Sequence, residues 1–169
     1  MLELISGNLT SLCAMITDSV SATRKTTRGV LLMQTLSQVF YFISSIFLKG
    51  YSAAVQNTMS VIRNLNAISK NRRPWVEWVL IVAGVVLGLV FNNRGLLGLL
   101  PVISNLEYAL AVRCFSDNQK VLKTAFMINA ILYCVFNAFV MNIVGAVATF
   151  IVAVTTALAL VRMHRQPAQ

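Results

Sequence analysis

Long apolar stretches alternate with short polar connections along the chain, and the alternation repeats at the length of a membrane crossing. Seven stretches stand out, at 2–22, 29–48, 51–69, 75–91, 96–112, 121–140 and 143–161. A hydrocarbon core about 30 Å thick needs about 20 helical residues to cross it, and each stretch is near that length. The pattern predicts an all-α polytopic membrane protein with seven transmembrane helices.

The stretches differ in polarity, which predicts where each one faces. The first is interrupted by Ser, Thr, Asn8 and Asp18, so it inserts poorly alone and is expected to face other helices; lying at the interface or re-entering is the alternative. The third carries Gln56, Asn57, Arg63, Asn64 and Asn66, too polar for contact with lipid, and is expected to line a cavity. The fourth is almost purely aliphatic, with Trp75 and Trp78 placed as interfacial anchors, and reads as a lipid-facing spacer. Asn105 and Glu107 interrupt the fifth, Asn129 and Asn137 the sixth, and the seventh is rich in small residues.

Charge then orients the pattern. Eleven of the fourteen Lys and Arg residues fall into four clusters, Arg24/Lys25/Arg28, Lys70/Arg72/Arg73, Arg113/Lys120/Lys123 and Arg162/Arg165. Cationic connections stay in the cytoplasm, which predicts an outside N-terminus and a cytoplasmic C-terminus, with only Lys49 and Arg94 outside and Arg63 within the third helix. Composition agrees with the class: 57% apolar residues, 11% charged and a mean hydropathy of +0.75 are far from a soluble domain. The net charge of +9 is dispersed over segment ends without a basic stripe or interleaved aromatic platform, so nucleic acid is not an expected partner. Attraction to anionic headgroups of the bilayer is.

Chemistry narrows the function by elimination. Cys13, Cys114 and Cys134 are widely spaced and His164 is the single histidine, so neither a disulfide framework, a metal site nor a cofactor is expected. There is no nucleophile–base set, HExxH or phosphate-binding loop, and the chain is not read as an enzyme. Glu3 in place of a basic start argues against a signal peptide, and the chain is read as the mature protein. Gly84 and Gly88 fit GxxxG, a motif for close helix packing or for association with a second copy.

Sliding the chain against itself by 93 residues pairs Ala53 with Ala146, Val61 with Val154, Leu65 with Leu158 and Arg72 with Arg165. Together with the hydropathy pattern this divides the single membrane domain into a three-helix unit at 1–70, a spacer helix with its flanks at 71–94, and a second three-helix unit with a short tail at 95–169. An odd spacer gives the two units parallel orientation, an arrangement that flanks a midplane site in transporters.

This 3+1+3 layout resembles the SWEET, SemiSWEET and PQ-loop superfamily of small transporters. The turn at Arg24-Lys25, the stretch Ser60-Val-Ile-Arg63-Asn64 and the stretch Leu99-Leu-Pro101-Val-Ile103 are similar to the YgjV-type bacterial inner-membrane protein family within it. The resemblance implies a bacterial inner-membrane location, alternating access and, from the sugar-carrying relatives, an asparagine on the third helix of each unit. Asn57 fills that role once; the seventh helix offers Thr149 and Phe150, so a two-fold sugar clamp does not carry over. Pro101 precedes Val102 rather than Gln, and the first unit lacks a matching proline, so a paired-proline hinge does not carry over either.

Two layers of polar residues are expected to matter. Asp18, Gln34, Arg63 and Glu107 lie roughly 8 to 10 Å below the cytoplasmic face, where the cost of isolated charge invites Arg63 to pair with Glu107 or Asp18 as a gate or, equally, as a device of helix registration. Nearer the midplane Gln38, Asn57, Asn64, Asn105 and Asn129 offer donors and acceptors for a solute, or interhelical bonds worth about 0.6 to 2 kcal/mol each. The expected function is movement of a small polar solute by rocking of the two units. A non-transporting scaffold or regulatory subunit, or a substrate-capture subunit of a larger transporter, is the alternative.

Overall fold

The computed structural model describes residues 1–22, 24, 26–69, 73–115 and 118–165. Among them are seven α-helices: α1 Leu2–Ala22, α2 Thr27–Phe47, α3 Tyr51–Ile68, α4 Pro74–Val90, α5 Leu99–Cys114, α6 Gln119–Phe139 and α7 Ile143–Arg165. A 3-10 turn, Gly95–Gly98, leads into α5. The apolar stretches thus become helices within about three residues of their expected starts, α7 continuing through Arg162. Of the cationic clusters, Lys25, Lys70 and Arg72 lie outside the described residues.

Three helices are long and apolar enough to cross a membrane on their own terms: Gly95–Cys114, Lys120–Phe139 and Ile143–Met163. Shorter apolar runs occupy Leu31–Phe47 and Trp75–Val90. Neither α1 nor α3 qualifies, and the polar residues noted above are the reason. The interior nevertheless has the inverted character of a protein solvated by lipid. Buried positions are filled by small residues such as Ala14, Ala53, Ala54, Ala125 and Ala130 and by Ser11, Ser37, Ser44 and Ser104, whereas Ile46, Val82, Val86, Ile131, Phe150 and Ile151 point outward. With lipid as apolar as the protein, helices gain by close packing and interhelical hydrogen bonds rather than by hiding large apolar groups.

Neighbours in sequence are neighbours in space: α1 packs on α2, α2 on α3, α5 on α6 and α6 on α7. Contacts of α3 with α5 and of α1 with α7 close these six helices into a ring, and α4 lies across the α3–α5 seam. Hydrogen bonds fasten each seam. Ser11 Oγ and Ser44 Oγ are 2.7 Å apart, and Ser44 Oγ donates to Gly7 O at 2.8 Å. Ser104 Oγ donates to Asn129 O and Asn129 Nδ2 to Ser104 O, both at 3.1 Å. Asn8 Nδ2 donates to Met141 O at 3.0 Å while its Oδ1 accepts from Val144 N at 3.1 Å, joining α1 to the α6–α7 turn.

The second hairpin copies the first at a constant offset of 92 residues. Thr27, Phe47 and Tyr51 bound α2 and open α3; Gln119, Phe139 and Ile143 do the same for α6 and α7. The caps correspond too, Thr26 accepting from Gly29 N and Asn118 from Val121 N. Both turns pass through a left-handed residue, Lys49 at φ 56° and Met141 at φ 60°, and both close with a 2.8 Å backbone bond, Gly50 N to Ser45 O and Asn142 N to Asn137 O. The register is therefore one residue shorter than the 93 that residue identities suggest. Where these turns meet lies the apolar core of Leu48, Ala53, Phe136 and Val140, with Leu100 and Tyr133 against it.

Candidate functional site

A partly open cavity of about 210 Å³ lies between α3, α4 and α5. Its α3 wall is made by Gln56, Ser60, Arg63, Asn64 and Ala67, positions three and four apart that share one helix face. The α4 wall runs from Glu77 to Val85 and the α5 wall from Val102 to Arg113. These spans take the cavity from the middle of the helices to the end where the basic clusters lie.

The closed end is an amide floor. Gln56 Nε2 donates to Gly84 O at 2.7 Å, Asn105 Nδ2 donates to Gln56 Oε1 at 3.2 Å, and the same Nδ2 reaches Tyr133 Oη at 3.3 Å. The floor lies roughly 18 Å from the end of α3, counting 1.5 Å per residue. Glycine makes it possible: a Cβ at Gly88 would come within 2.6 Å of both Gln56 Nε2 and Val102 Cγ2, and one at Gly84 within 3.4 Å of Gln56 Oε1. The GxxxG pair thus seats α4 on α3 and α5 within the chain. At the other end Arg113 Nε stands 4.0 Å from Glu77 Oε2, with its guanidinium carbon 5.9 Å from the Trp78 ring centroid, a cation–π distance.

The polar residues expected from sequence are distributed, not gathered. Arg63, Asn64 and Asn105 line the cavity. Asn57 is buried and donates to Ser45 Oγ at 3.3 Å, bonding α3 to α2, while Asn129 is occupied by Ser104. Gln34 and Gln38 are half-buried on α2 and outside the lining. Asp18 accepts a hydrogen bond from Ser37 Oγ and ties α1 to α2.

The expected pairing of Arg63 with Glu107 or Asp18 is not formed. Among the described residues Arg63 takes part in no ion pair and no side-chain hydrogen bond, and Glu107 Oε2 is buried without a hydrogen-bond partner. The reason is azimuth: on α5 the cavity is faced by 102, 105, 106, 109, 112 and 113, and at 100° per residue Glu107 lies about 100° beyond the nearest edge of that face, alongside the exposed Ile103 and Leu110. Sequence reasoning marks Gln56 only as one polar residue of a cavity-lining helix and does not mark Glu77 and Arg113 as contributors at all. Glu77 had a signal, since it shares a helix face with Ile81 and Gly84 and is one of only five acidic residues.

Neither curated proteins nor solved structures match the chain. A family described as bacterial inner membrane protein, Imp-YgjV, matches residues 5–167, and the apolar spans and inverted interior agree with it. With nearly its whole length matched, the chain belongs to this family of bacterial inner membrane proteins.

Proposed function

We propose that the protein is a multi-pass transporter that carries a small polar solute by alternating access of two three-helix units, α1–α3 and α5–α7, with α4 as the spacer between them. The basic clusters support, by the positive-inside rule, a cytoplasmic C-terminus and cavity mouth with the N-terminus outside. The 92-residue correspondence of the two hairpins supports the duplicated, SWEET-like 3+1+3 reading.

The observation that carries the proposal is the cavity itself: a pocket with largely apolar walls that ends near mid-helix on a polar floor of Gln56, Gly84, Asn105 and Tyr133. That floor joins the first unit, the spacer and the second unit. Passage to the far side requires it to part, and its bonds are weak enough to exchange, at about 0.6 to 1.7 kcal/mol each in membranes. A second closure lies beyond it, where Arg94 Nη2 donates to Leu48 O at 2.8 Å and Asn93 Nδ2 to Lys49 O at 2.7 Å. On this reading the cavity opens to the cytoplasm while both closures are shut.

The test is counterflow in proteoliposomes loaded with sugars, amino acids, organic acids and nucleosides. At least one class is expected to exchange, and Asn105→Leu is expected to slow it about tenfold by removing a floor contact on which opening and closing depend. Absence of exchange across the whole panel, with folded protein, would transfer the assignment to a scaffold or regulatory subunit.

A further inference from the structure

Resting on the reading of this cavity as the solute site, the geometry points to a small organic monocarboxylate as the solute class, its carboxylate held by Arg63 and Asn64.

Two guanidinium groups and one carboxylate face the cavity. Arg113 has Glu77 and the Trp78 ring; Arg63, five residues inside the nearer end of α3, has neither an ion pair nor a hydrogen bond among the described residues and feels Glu77 only at longer range. Unpaired charge at such depth is costly, and water in an open cavity or an anionic partner is what relieves it. The amides point the same way. Gln56 Nε2 and Asn105 Nδ2 are spent on the floor, whereas Asn64, only 7% exposed, lines the cavity without a side-chain hydrogen bond among the described residues.

The unspent groups beside each other on α3 are therefore donors in the main: five N–H of a guanidinium and the two N–H of the Asn64 amide, against its one carbonyl oxygen and the Ser60 hydroxyl. A guanidinium fork matches two carboxylate oxygens. Opposite them Leu80, Ile81, Leu106 and Ala109 supply an apolar wall that suits a short aliphatic chain. The cavity of about 210 Å³ is below the usual size of drug-binding pockets, which favours few-carbon acids. An amino acid fits less well, because its ammonium group would need a charged acceptor and the single carboxylate of the lining, Glu77, already faces Arg113.

Thermal unfolding of the purified chain in an uncharged detergent, with lactate or butyrate against lactamide or butyramide, tests this directly. The acids are expected to raise the midpoint in a concentration-dependent way and the amides to leave it unchanged, since a ligand that binds the folded state stabilises it by mass action. Arg63→Gln is expected to weaken acid binding about tenfold or more, the scale of a charge-assisted hydrogen bond. Arg63→Lys keeps the charge without the fork and should retain part of the shift; Asn64→Ala provides a milder loss if Arg63→Gln does not fold.

Equal shifts by acids and amides, or an undiminished acid shift in folded Arg63→Gln and Asn64→Ala, would overturn the inference. So would an Arg63-dependent shift produced by phosphatidylglycerol in nanodiscs to which the acids add nothing, because the anion would then be a lipid headgroup. Failure of transport is distinguishable: acid binding without counterflow leaves the ligand class standing and removes the carrier, whereas counterflow of a neutral sugar without acid binding does the reverse.

Discussion

Helices α3 and α7 occupy matching places in the two hairpins yet face their surroundings with opposite chemistry. At the 92-residue offset Gln56, Asn57, Ser60, Arg63 and Asn64 of α3 correspond to Ala148, Thr149, Val152, Thr155 and Thr156 of α7. The hydroxyls of α7 are satisfied inside their own helix, Thr149 Oγ1 by Gly145 O at 2.8 Å, Thr155 Oγ1 by Ile151 O at 2.9 Å and Thr156 Oγ1 by Val152 O at 2.7 Å. An amide or guanidinium has too many polar atoms to be satisfied that way. It must find another helix, a cavity or water, and α3 has neighbours in α2, α4 and α5, whereas among the described residues α7 touches only α6 and α1. The difference teaches that two hairpins of matching backbone differ by side-chain polarity and by the helix laid over just one of them.

That contrast is broken most severely at the glycines that seat α4. Gly88→Leu must displace Gln56 and Val102, whose atoms lie 2.6 Å from the new Cβ, and overpacking of this kind costs about 1–3 kcal/mol. The same leucine at Thr155, which is exposed on α7, is expected to change stability by less than about 0.5 kcal/mol. Thermal unfolding of the two variants in detergent measures the difference; equal losses would mean that α4 does not distinguish α3 from α7.

A smaller effect separates the matched polar positions. Gln56→Ala removes the bonds to Gly84 O and from Asn105 and is expected to cost about 1–2 kcal/mol, the sum of two interhelical bonds in a membrane. Thr149→Ala removes only a bond to its own helix and should cost a few tenths of that. Chemical denaturation in mixed micelles resolves the two, and a Thr149 loss as large as that of Gln56 would contradict the division of labour between the copies.

Much of this arrangement is legible in the sequence, and what is not has a physical cause. Hydropathy and the cationic turns marked the helices because burial length and charge act locally along the chain. Arg63, expected in a layer near the cytoplasmic face, and Asn64 and Asn105, expected nearer the midplane, line one and the same cavity. Azimuth was not legible: Glu107 shares the depth of Arg63 but projects from another side of α5, and Asn57, one residue from Gln56, turns to Ser45 instead of the cavity. The one-residue slip in the repeat arose because apolar matches such as Val61 with Val154 are nearly as good in either register, whereas the caps and left-handed turns admit one register alone.

The finest test of the duplicated design uses the two left-handed turn residues. Lys49 and Met141 hold nearly the same φ, 56° and 60°, a conformation that penalises a side chain with a Cβ and that glycine adopts freely. Met141 is 56% exposed and its side chain takes part in no polar contact among the described residues, so Met141→Gly is expected to stabilise by about 0.5–1 kcal/mol, the relief of backbone strain less the greater freedom of the unfolded glycine. Lys49→Gly obtains the same relief but gives up the 3.1 Å ion pair with Glu3, whose partners are 57% and 64% exposed. Such exposed pairs contribute about 0–1 kcal/mol, so the net change at Lys49 should fall near zero. Glu3→Gln in the Lys49→Gly background separates the two contributions: if the turns are equivalent, it has no further effect there, and a residual loss would show that Glu3 braces the first hairpin through another contact that the second hairpin lacks.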